Sequence, residues 1–144
     1  MERGADVTAR DNFERTPLLI ATDNCTDVAP IALLLSKGAA VNVVDKDGCT
    51  PLHNACHQGC LEAVKMLLDN KAQLEAKSAS SRTPLFHAVK GGHLPVVQLL
   101  VKAGTDVHVK DANGSTLLHE SAEGGSDDVM KFLLSSGAKV DHFH

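Results

Sequence analysis

The stretch Thr50-Pro51-Leu52-His53-Asn54-Ala55 decides the fold, because similar strings recur along the chain. They begin at Thr16, Thr83 and Thr116, so the four strings are spaced by 34, 33 and 33 residues. Each is followed by an apolar run and then by a polar turn, as in Asp45-Lys46-Asp47-Gly48. Four units in one register indicate an internal repeat.

Residues that start and end helices predict two helices and a turn in each unit. A Thr before Pro starts a helix, because its hydroxyl caps free backbone donors and Pro at the first helical position loses no hydrogen bond. Gly59 and the pair Gly91-Gly92 end the first helix, and apolar residues between Leu61 and Leu68 predict a second, longer one. One such unit cannot bury both faces of its helices, so the units are expected to stack into an elongated domain. Phe86 and Phe132 are expected to be ordinary core residues within these units.

The period and the string from Thr50 to Ala55 resemble the ankyrin repeat. The resemblance covers essentially the whole chain and implies an all-α solenoid of helix-turn-helix units joined by β-hairpin-like turns. We expect a single ankyrin repeat domain over residues 1–144. Its expected parts are a partial repeat (1–15), three full repeats (16–49, 50–82 and 83–115) and a C-terminal repeat (116–144).

Several positions depart from the repeat pattern. One extra residue near Asn24-Cys25-Thr26-Asp27 is expected to enlarge a loop, and Leu117 replaces the Pro of the other strings. Glu14 and Ser81 stand where the hairpin Gly belongs, and Lys71 replaces the Gly after a second helix. Backbone strain is expected where such a residue adopts a conformation that favours glycine.

Composition excludes several classes of function. The chain has 144 residues and a net charge of −4, so it has no strong basic field for nucleic acid or for acidic membranes. Its apolar runs are far shorter than the roughly 20 residues of a membrane span. We therefore expect no nucleic-acid or membrane partner, a cytoplasmic or nuclear location and reduced cysteines.

One cluster resembles a zinc site. His53, Cys56, His57 and Cys60 follow the i, i+3, i+4, i+7 spacing of one helix face. Gly59, however, is expected to end the helix before Cys60. The family resemblance implies instead that His53 and His119 are neutral imidazoles that tie hairpin to helix, so no metal is expected.

Catalytic motifs are not recognised either. The sequence has no G-x-S-x-G elbow, and Gly91-Gly92 ends a helix instead of belonging to a phosphate-binding loop. A repeat stack also offers a shallow groove in place of a closed pocket. The sequence therefore predicts a protein that is not an enzyme and needs no cofactor.

The resemblance implies that partners dock on the concave side made by the hairpin tips and the first helices, here called the finger face. Unlike residues occupy its matching positions, as a specific binder requires. Phe13 is expected to be its aromatic anchor and Arg82 its charged one. With Arg15, Lys46 and Lys90, Arg82 favours an anionic partner over the first three units, whereas the last unit is acidic. The predicted contact residues are Asn12, Phe13, Arg15, Asp23, Asn24, Lys46, Asp47, Cys49, Asn54, His57, Gln58, Ser80, Arg82, His87, Lys90, Asn113, Ser115, Glu120 and Glu123.

The expected function is a monomeric module that binds a protein or peptide, as the targeting or scaffold part of a larger protein. A structural spacer or oligomerisation module is the alternative, and a metal or redox sensor using Cys56, Cys60 and His57 is a third hypothesis. Asn42, eight residues after Leu34, is also similar to ankyrin asparagines that the oxygen-sensing asparaginyl hydroxylase modifies. The competing interpretation is that Asn42 only bonds the hairpin backbone.

Overall fold

The computed structural model describes residues 15–23, 27–124 and 126–136 of the chain. Within these ranges it contains eight α-helices and no sheet strand, and one isolated antiparallel bridge joins Lys110 to Thr116. The all-α repeat architecture predicted from the sequence is confirmed. The helices are α1 (Pro17–Asp23), α2 (Ala29–Ser36), α3 (Pro51–Gln58), α4 (Leu61–Asp69), α5 (Pro84–Gly91), α6 (Leu94–Lys102), α7 (Leu117–Gly124) and α8 (Asp127–Ser135).

These helices form two layers. The first helices of successive units pack in series, with α3 between α1 and α5 and with α7 on the far side of α5. Each first helix also packs on the second helix of its own unit, and α6 contacts both α4 and α8 in the second layer. Ala55 and Ala88 are fully buried in α3 and α5, where their small side chains let these helices approach closely.

The helices begin and end at the Thr-Pro and Gly residues that the sequence predicted. The Thr50 hydroxyl accepts the N–H of His53 at 3.3 Å and caps α3, and Pro51 is the first helical residue. Gly59 and Gly92 end α3 and α5 in the left-handed conformation, at φ values of 75° and 71°. Such a cap costs glycine little because it has no Cβ.

Polar hairpin turns connect the units and contact one another. In the turn at residues 45–49, the N–H of Asp45 donates to the carbonyl of Cys49 at 3.0 Å. Neighbouring tips are joined by main-chain hydrogen bonds, from Ala79 to Asp47 at 3.0 Å and from Ala112 to Ser80 at 2.9 Å. The tips therefore form a continuous row that is held at fixed spacing.

Two departures from the glycine pattern do occupy left-handed backbone. Lys71 has a φ of 71° and Ser81 a φ of 60°, and they are the only non-glycine residues with positive φ among those described. A side chain in this region costs on the order of 1 kcal/mol or more, because its Cβ crowds the following carbonyl. The expected strain at these two positions is confirmed.

The core runs along the stack and is aliphatic. Each first helix buries a leucine near its start: Leu18, Leu52, Leu85 and Leu117 are at most 1% exposed, although Leu117 stands at the Pro position of the repeat. Phe86 is fully buried as expected, whereas Phe132 is only half-buried and packs against the edge of the core. The prediction that Phe132 is an ordinary core residue is therefore wrong.

Some expectations fall outside the described residues. They concern the extra residue near Asn24, the partial repeat up to Glu14, the contacts of Asn12 and Phe13, and the end of the last unit. The unit boundaries at residues 16, 50, 83 and 116 stay predictions. Within the described part of the chain, no helix is both long and apolar enough to cross a membrane.

Candidate functional site

Three successive hairpins and the first turns of α5 enclose a pocket of about 260 Å³ on the finger face. Main-chain bonds between the tips fix its width. The pocket brings together residues that lie far apart in the sequence. Six of the predicted contact residues line it: Asp47, Cys49, Ser80, Arg82, His87 and Asn113.

A second pocket of about 240 Å³ lies between α1, α3 and the first described hairpin. Five predicted contact residues line it, and Asp47 also lines the first pocket, so the two pockets are contiguous. Arg15 and Asp23 form a partly exposed ion pair there, with Nη1 and Oδ2 3.6 Å apart. The predicted residues of this pocket are Arg15, Asp23, Lys46, Asp47 and Asn54.

Arg82, the last residue of the second unit, contacts both the third and the fourth unit. Its Nη2 lies 3.1 Å from Asp111 Oδ2, and its Nη1 lies 3.3 Å from Glu120 Oε1. These two carboxylate side chains are only 1% and 5% exposed. A buried ion pair is a strong structural constraint, because removal of one partner leaves the other charge uncompensated.

Asp111 is held in its ionised form. Burial alone would raise the pKa of Asp111, but hydrogen bonds from the backbone N–H groups of Ser115 and Asn113, and then Arg82, outweigh it and lower the pKa. Both N–H groups lie 2.9 Å from Oδ1. The carboxylate thus fixes its own hairpin with one oxygen and Arg82 with the other.

The predicted role of Arg82 needs correction. Its guanidinium is neutralised inside the protein, so it does not offer the free positive charge expected of an anchor for an anionic partner. Glu120 is 4% exposed and is likewise not a surface acid. The positive bias over the first three units is weakened further by the Arg15–Asp23 pair, although Lys46 and Lys90 are exposed.

Three histidines meet beside the larger pocket. The His87 ring stands edge-on to His53 and His57, with centroids 5.0 and 5.9 Å apart. Its Nε2 is buried and has no hydrogen-bond partner. Burial, followed by the Coulombic effects of His53, His57, Arg82 and Lys90 on a protonated ring, lowers the pKa of His87 to about 3. His87 is therefore neutral at physiological pH.

His53 ties α3 to the hairpin that leads into the third unit, as the resemblance implied. Its Nδ1 accepts the N–H of Thr50 at 3.0 Å, so Nε2 carries the proton and donates to the carbonyl of Arg82 at 2.8 Å. Burial lowers the pKa of His53, which keeps it neutral. His119 has the same contact with Thr116 at 3.0 Å but is exposed.

The cysteines do not form the zinc cluster that their spacing suggested. Cys56 is fully buried, and Cys60 is disulfide-bonded, so the expectation of reduced thiols is wrong for Cys60. Burial, followed by the charges of Asp45 and Asp47, raises the pKa of Cys49 to about 11 and keeps this thiol protonated. Among the described residues, no three His, Cys, Asp or Glu side chains are grouped to hold a metal.

Most of the predicted contact residues that the structure describes and that line neither pocket are exposed. His57, Gln58, Lys90 and Glu123 are exposed, and Ser115 is partly exposed. Asn54 is partly buried, and its side-chain amide donates to the carbonyl of Leu19 at 3.3 Å. Phe13, the predicted aromatic anchor, is outside the described residues together with Asn12 and Asn24.

Asn42 bonds the backbone of the following unit. Its Oδ1 accepts the N–H of Gln73 at 2.8 Å, and its Nδ2 donates to the carbonyl of Lys71 at 3.4 Å. Glu75 makes an equivalent tie one unit later, where its carboxylate accepts the N–H of Asp106 at 2.8 Å. Asn42 is nevertheless exposed.

Sequence reasoning missed the two aspartates that shape the hairpins. Asp45 Oδ1 accepts the N–H groups of Asp47 at 2.8 Å and Cys49 at 3.1 Å, as Asp111 does in the later hairpin. The signal was an Asp followed three residues later by Gly, at Asp45–Gly48 and Asp111–Gly114. The partnership of Asp111 with Arg82 has no such local signal, because 29 positions separate them.

Stacked helix pairs, a row of mutually bonded hairpin tips and a pocketed finger face define a helical repeat solenoid. A family model described as "Ankyrin repeats (3 copies)" matches residues 1–78 and 73–144. The chain belongs to the ankyrin repeat family. Ankyrin repeats are in general protein–protein interaction modules.

Similar stretches occur in larger proteins, two of which carry ankyrin repeats in their names. The chain is 38% identical over 73 residues to human ankyrin repeat domain-containing protein 63, a match that covers 49% of this chain and 19% of that protein. It is 38% identical over 60 residues to the Caenorhabditis elegans ankyrin repeat and LEM domain-containing protein 1 homolog (42% and 8% covered). It is 47% identical over 45 residues to mouse protein phosphatase 1 regulatory subunit 12A (31% and 4% covered). The matches thus span a fifth or less of these relatives.

Proposed function

We propose that this chain binds a protein or peptide partner on its finger face and has no catalytic activity of its own. The observation that carries the proposal is the variation at one register position of the row of tips. Asp47, Ser80 and Asn113 occupy equivalent positions in successive hairpins, yet they present an acid, a hydroxyl and an amide to the same pocket. The repeat fold does not require this variation, whereas specific recognition does.

Preorganisation supports binding at this face. The main-chain bonds at Ala79 and Ala112 fix the spacing of the tips before any partner arrives. Little conformational entropy is then lost on docking, so a modest number of contacts gives useful affinity. A few central contacts are expected to dominate, surrounded by residues that mainly exclude water.

The contact set is revised by the geometry. Arg82 and Glu120 are not proposed as direct contacts, because Arg82 is engaged with Asp111 and Glu120 and the Glu120 carboxylate is buried. The direct contacts are proposed to come from the pocket rim and from the exposed ends of α3, α5 and α7. A partner with hydrogen-bonding side chains and mixed charge fits this surface. The proposed residues are Lys46, Asp47, Ser80 and Asn113, with His57, Gln58, Lys90 and Glu123 around them.

Site-specific photo-crosslinking in cell lysate tests the face. A benzophenone amino acid is placed at exposed Ser80 or Asn113, and matched controls carry it at Asp69 or Ser135, which are exposed on second helices. We expect the same protein adduct from both finger-face positions and none from the controls. Adducts from the controls alone would overturn the choice of face.

The same experiment separates binding from a purely structural role. A spacer would give no specific adduct at any position, and an oligomerisation module would give adducts with a second copy of this chain. We propose that the domain is monomeric and acts in the cytoplasm or nucleus. By analogy with its longer relatives, the partner-binding part is proposed to target activities located elsewhere in a larger protein.

Asn42 is proposed as a hydroxylation site, on the basis of its exposure and its position in the unit. Modification requires its amide to leave Gln73 and Lys71, so it is expected mainly when these loops open. Incubation with the asparaginyl hydroxylase should add the mass of one oxygen atom to the Asn42 peptide. An unmodified peptide would support the purely structural role.

A further inference from the structure

An apolar groove lies on the second helices. It has a volume of about 630 Å³ and runs between α4, α6 and α8. Its walls include Leu61 of α4, Leu99 and Val101 of α6, and Phe132 of α8. All four side chains are only partly buried, and none of the lining residues lines either pocket of the finger face.

Phe132 contributes the largest apolar side chain of this groove. It is the half-buried ring that the sequence had suggested for the core, and it offers apolar surface between the third and fourth units. A ring that is neither buried nor isolated contributes to an apolar patch, and such patches mark interaction sites when polar groups rim them.

The rim of the groove is positively charged. Lys65 and Lys102 line it and are exposed, and no carboxylate is among its lining residues. This local excess of positive charge contrasts with the net charge of −4 of the whole chain. Glu62 approaches Lys65 at 3.8 Å, but both side chains are more than half exposed, at 68% and 51%. Such a surface pair contributes little and can be exchanged for a new partner.

We propose that this groove, the outer groove, binds a short amphipathic helix whose aliphatic face is flanked by carboxylates. The aliphatic side chains cover Leu61, Leu99 and Phe132, and the carboxylates pair with Lys65 and Lys102. An open groove between packed helices suits a helix laid along it, because a small molecule would leave much of its surface in water. The inference is independent of the finger face, so the domain has room for two partners at once.

A synthetic probe tests the proposal without knowledge of the natural partner. The peptide is a helix of about 14 residues with Leu on one face and Glu at the flanking positions. Fluorescence anisotropy is expected to show saturable binding at micromolar concentrations, and NMR shift changes are expected at the outer groove. A peptide with Lys in place of Glu should bind at least about tenfold more weakly, because its charges repel the rim.

A charge-reversal variant of the groove provides the decisive test. The double variant Lys65→Glu and Lys102→Glu should lose affinity for the acidic peptide at least about tenfold and gain it for the basic peptide. The matched control, Lys37→Glu with Lys77→Glu, changes the same net charge at exposed positions outside the groove and should leave both affinities within about twofold.

Several results would overturn the proposal. Equal losses in the groove variant and the control would show that net charge alone governs binding. Shift changes confined to the finger face would place the helix there. Concentration-dependent dimerisation in sedimentation velocity, abolished by the groove variant, would assign the groove to a second copy of the chain.

Discussion

The second and third units place different residues at the same register position and are tied to their successors by different chemistry. In the second unit, His53 Nδ1 accepts the N–H of Thr50, the Thr50 hydroxyl accepts the N–H of His53, and His53 Nε2 donates to the Arg82 carbonyl. In the third unit, Phe86 replaces the histidine, and the buried hydroxyl of Thr83 has no partner.

The charged network of Arg82 takes over where the histidine is missing. The guanidinium carbon lies 5.8 Å from the centroid of the Phe86 ring, and the guanidinium nitrogens bridge Asp111 of the third unit and Glu120 of the fourth. A neutral tie and an ionic tie therefore serve adjacent junctions of one repeat. Packing fixes the position of a junction, whereas the hydrogen bonding can be supplied in more than one way.

The largest effect is expected from the ionic junction. Arg82→Met should lower the free energy of unfolding by about 3–5 kcal/mol, because it leaves two nearly buried carboxylates without a cation. Urea denaturation measures the change. The control is Arg15→Met, which breaks the exposed pair with Asp23 and should cost about 0–1 kcal/mol. Similar small losses in both variants would show that the buried network contributes nothing.

Loss of the neutral tie made by His53 should lower the free energy of unfolding somewhat less than loss of the ionic tie made by Arg82. His53→Ala removes a buried ring and leaves the Arg82 carbonyl and the Thr50 N–H unpaired, so a loss of about 2–3 kcal/mol is expected. His119→Ala removes the matching but exposed ring and should cost less than about 1 kcal/mol. Equal costs would contradict the assignment of the inter-unit tie to His53.

Acid should lower the free energy of unfolding, because His87 lies partly buried between these junctions. His87 has a pKa of about 3 in the folded protein and about 6.5 when unfolded, so the unfolded state binds more protons between these values. Stability is therefore full above pH 6.5 and falls as the pH drops towards 3, by on the order of 2 kcal/mol at pH 5. Urea denaturation across this range should show the decline.

His87→Leu provides the control for the acid effect. It removes the titrating group and should reduce the decline, leaving a residual slope from His53, whose pKa is also lowered by burial. A variant with the same slope as the original protein would contradict the role of His87.

The smallest change in stability is expected at Thr50 and Thr83, the threonines that precede α3 and α5. Thr50→Val removes a hydroxyl that caps α3 and should cost about 1–2 kcal/mol. Thr83→Val removes a buried hydroxyl without a partner and should be neutral or stabilise the fold by up to about 1 kcal/mol. Thermal unfolding of both variants gives the comparison, and equal destabilisation would show that Thr83 also caps its helix.

Local signals made most of the fold predictable. Thr50, Pro51 and Gly59 specify where α3 begins and ends through contacts within a few residues, and the 33-residue period then fixes the stacking. Left-handed backbone at Lys71 and Ser81 was predictable because glycine stands at the matching positions of other units.

The site was less predictable, because its character depends on contacts between units. Arg82 looks like an exposed cation in the sequence, and only the packing of α7 shows that Glu120 neutralises it. Phe132 lies at a helix position that is typical of the core, yet the groove beside it leaves the ring partly exposed. Such contacts join positions about 30 or more residues apart and leave no periodic pattern.

The dissociation constant of the partner identified by crosslinking tests the role of the finger face most directly. Isothermal titration calorimetry would compare the original domain with Ser80→Arg plus Asn113→Arg and with the control pair Asp69→Arg plus Ser135→Arg. All four positions are exposed, so the fold should persist in both variants. We predict at least about tenfold weaker binding for the finger-face pair and a change within about twofold for the control. An unchanged dissociation constant in the finger-face pair would contradict the proposed function.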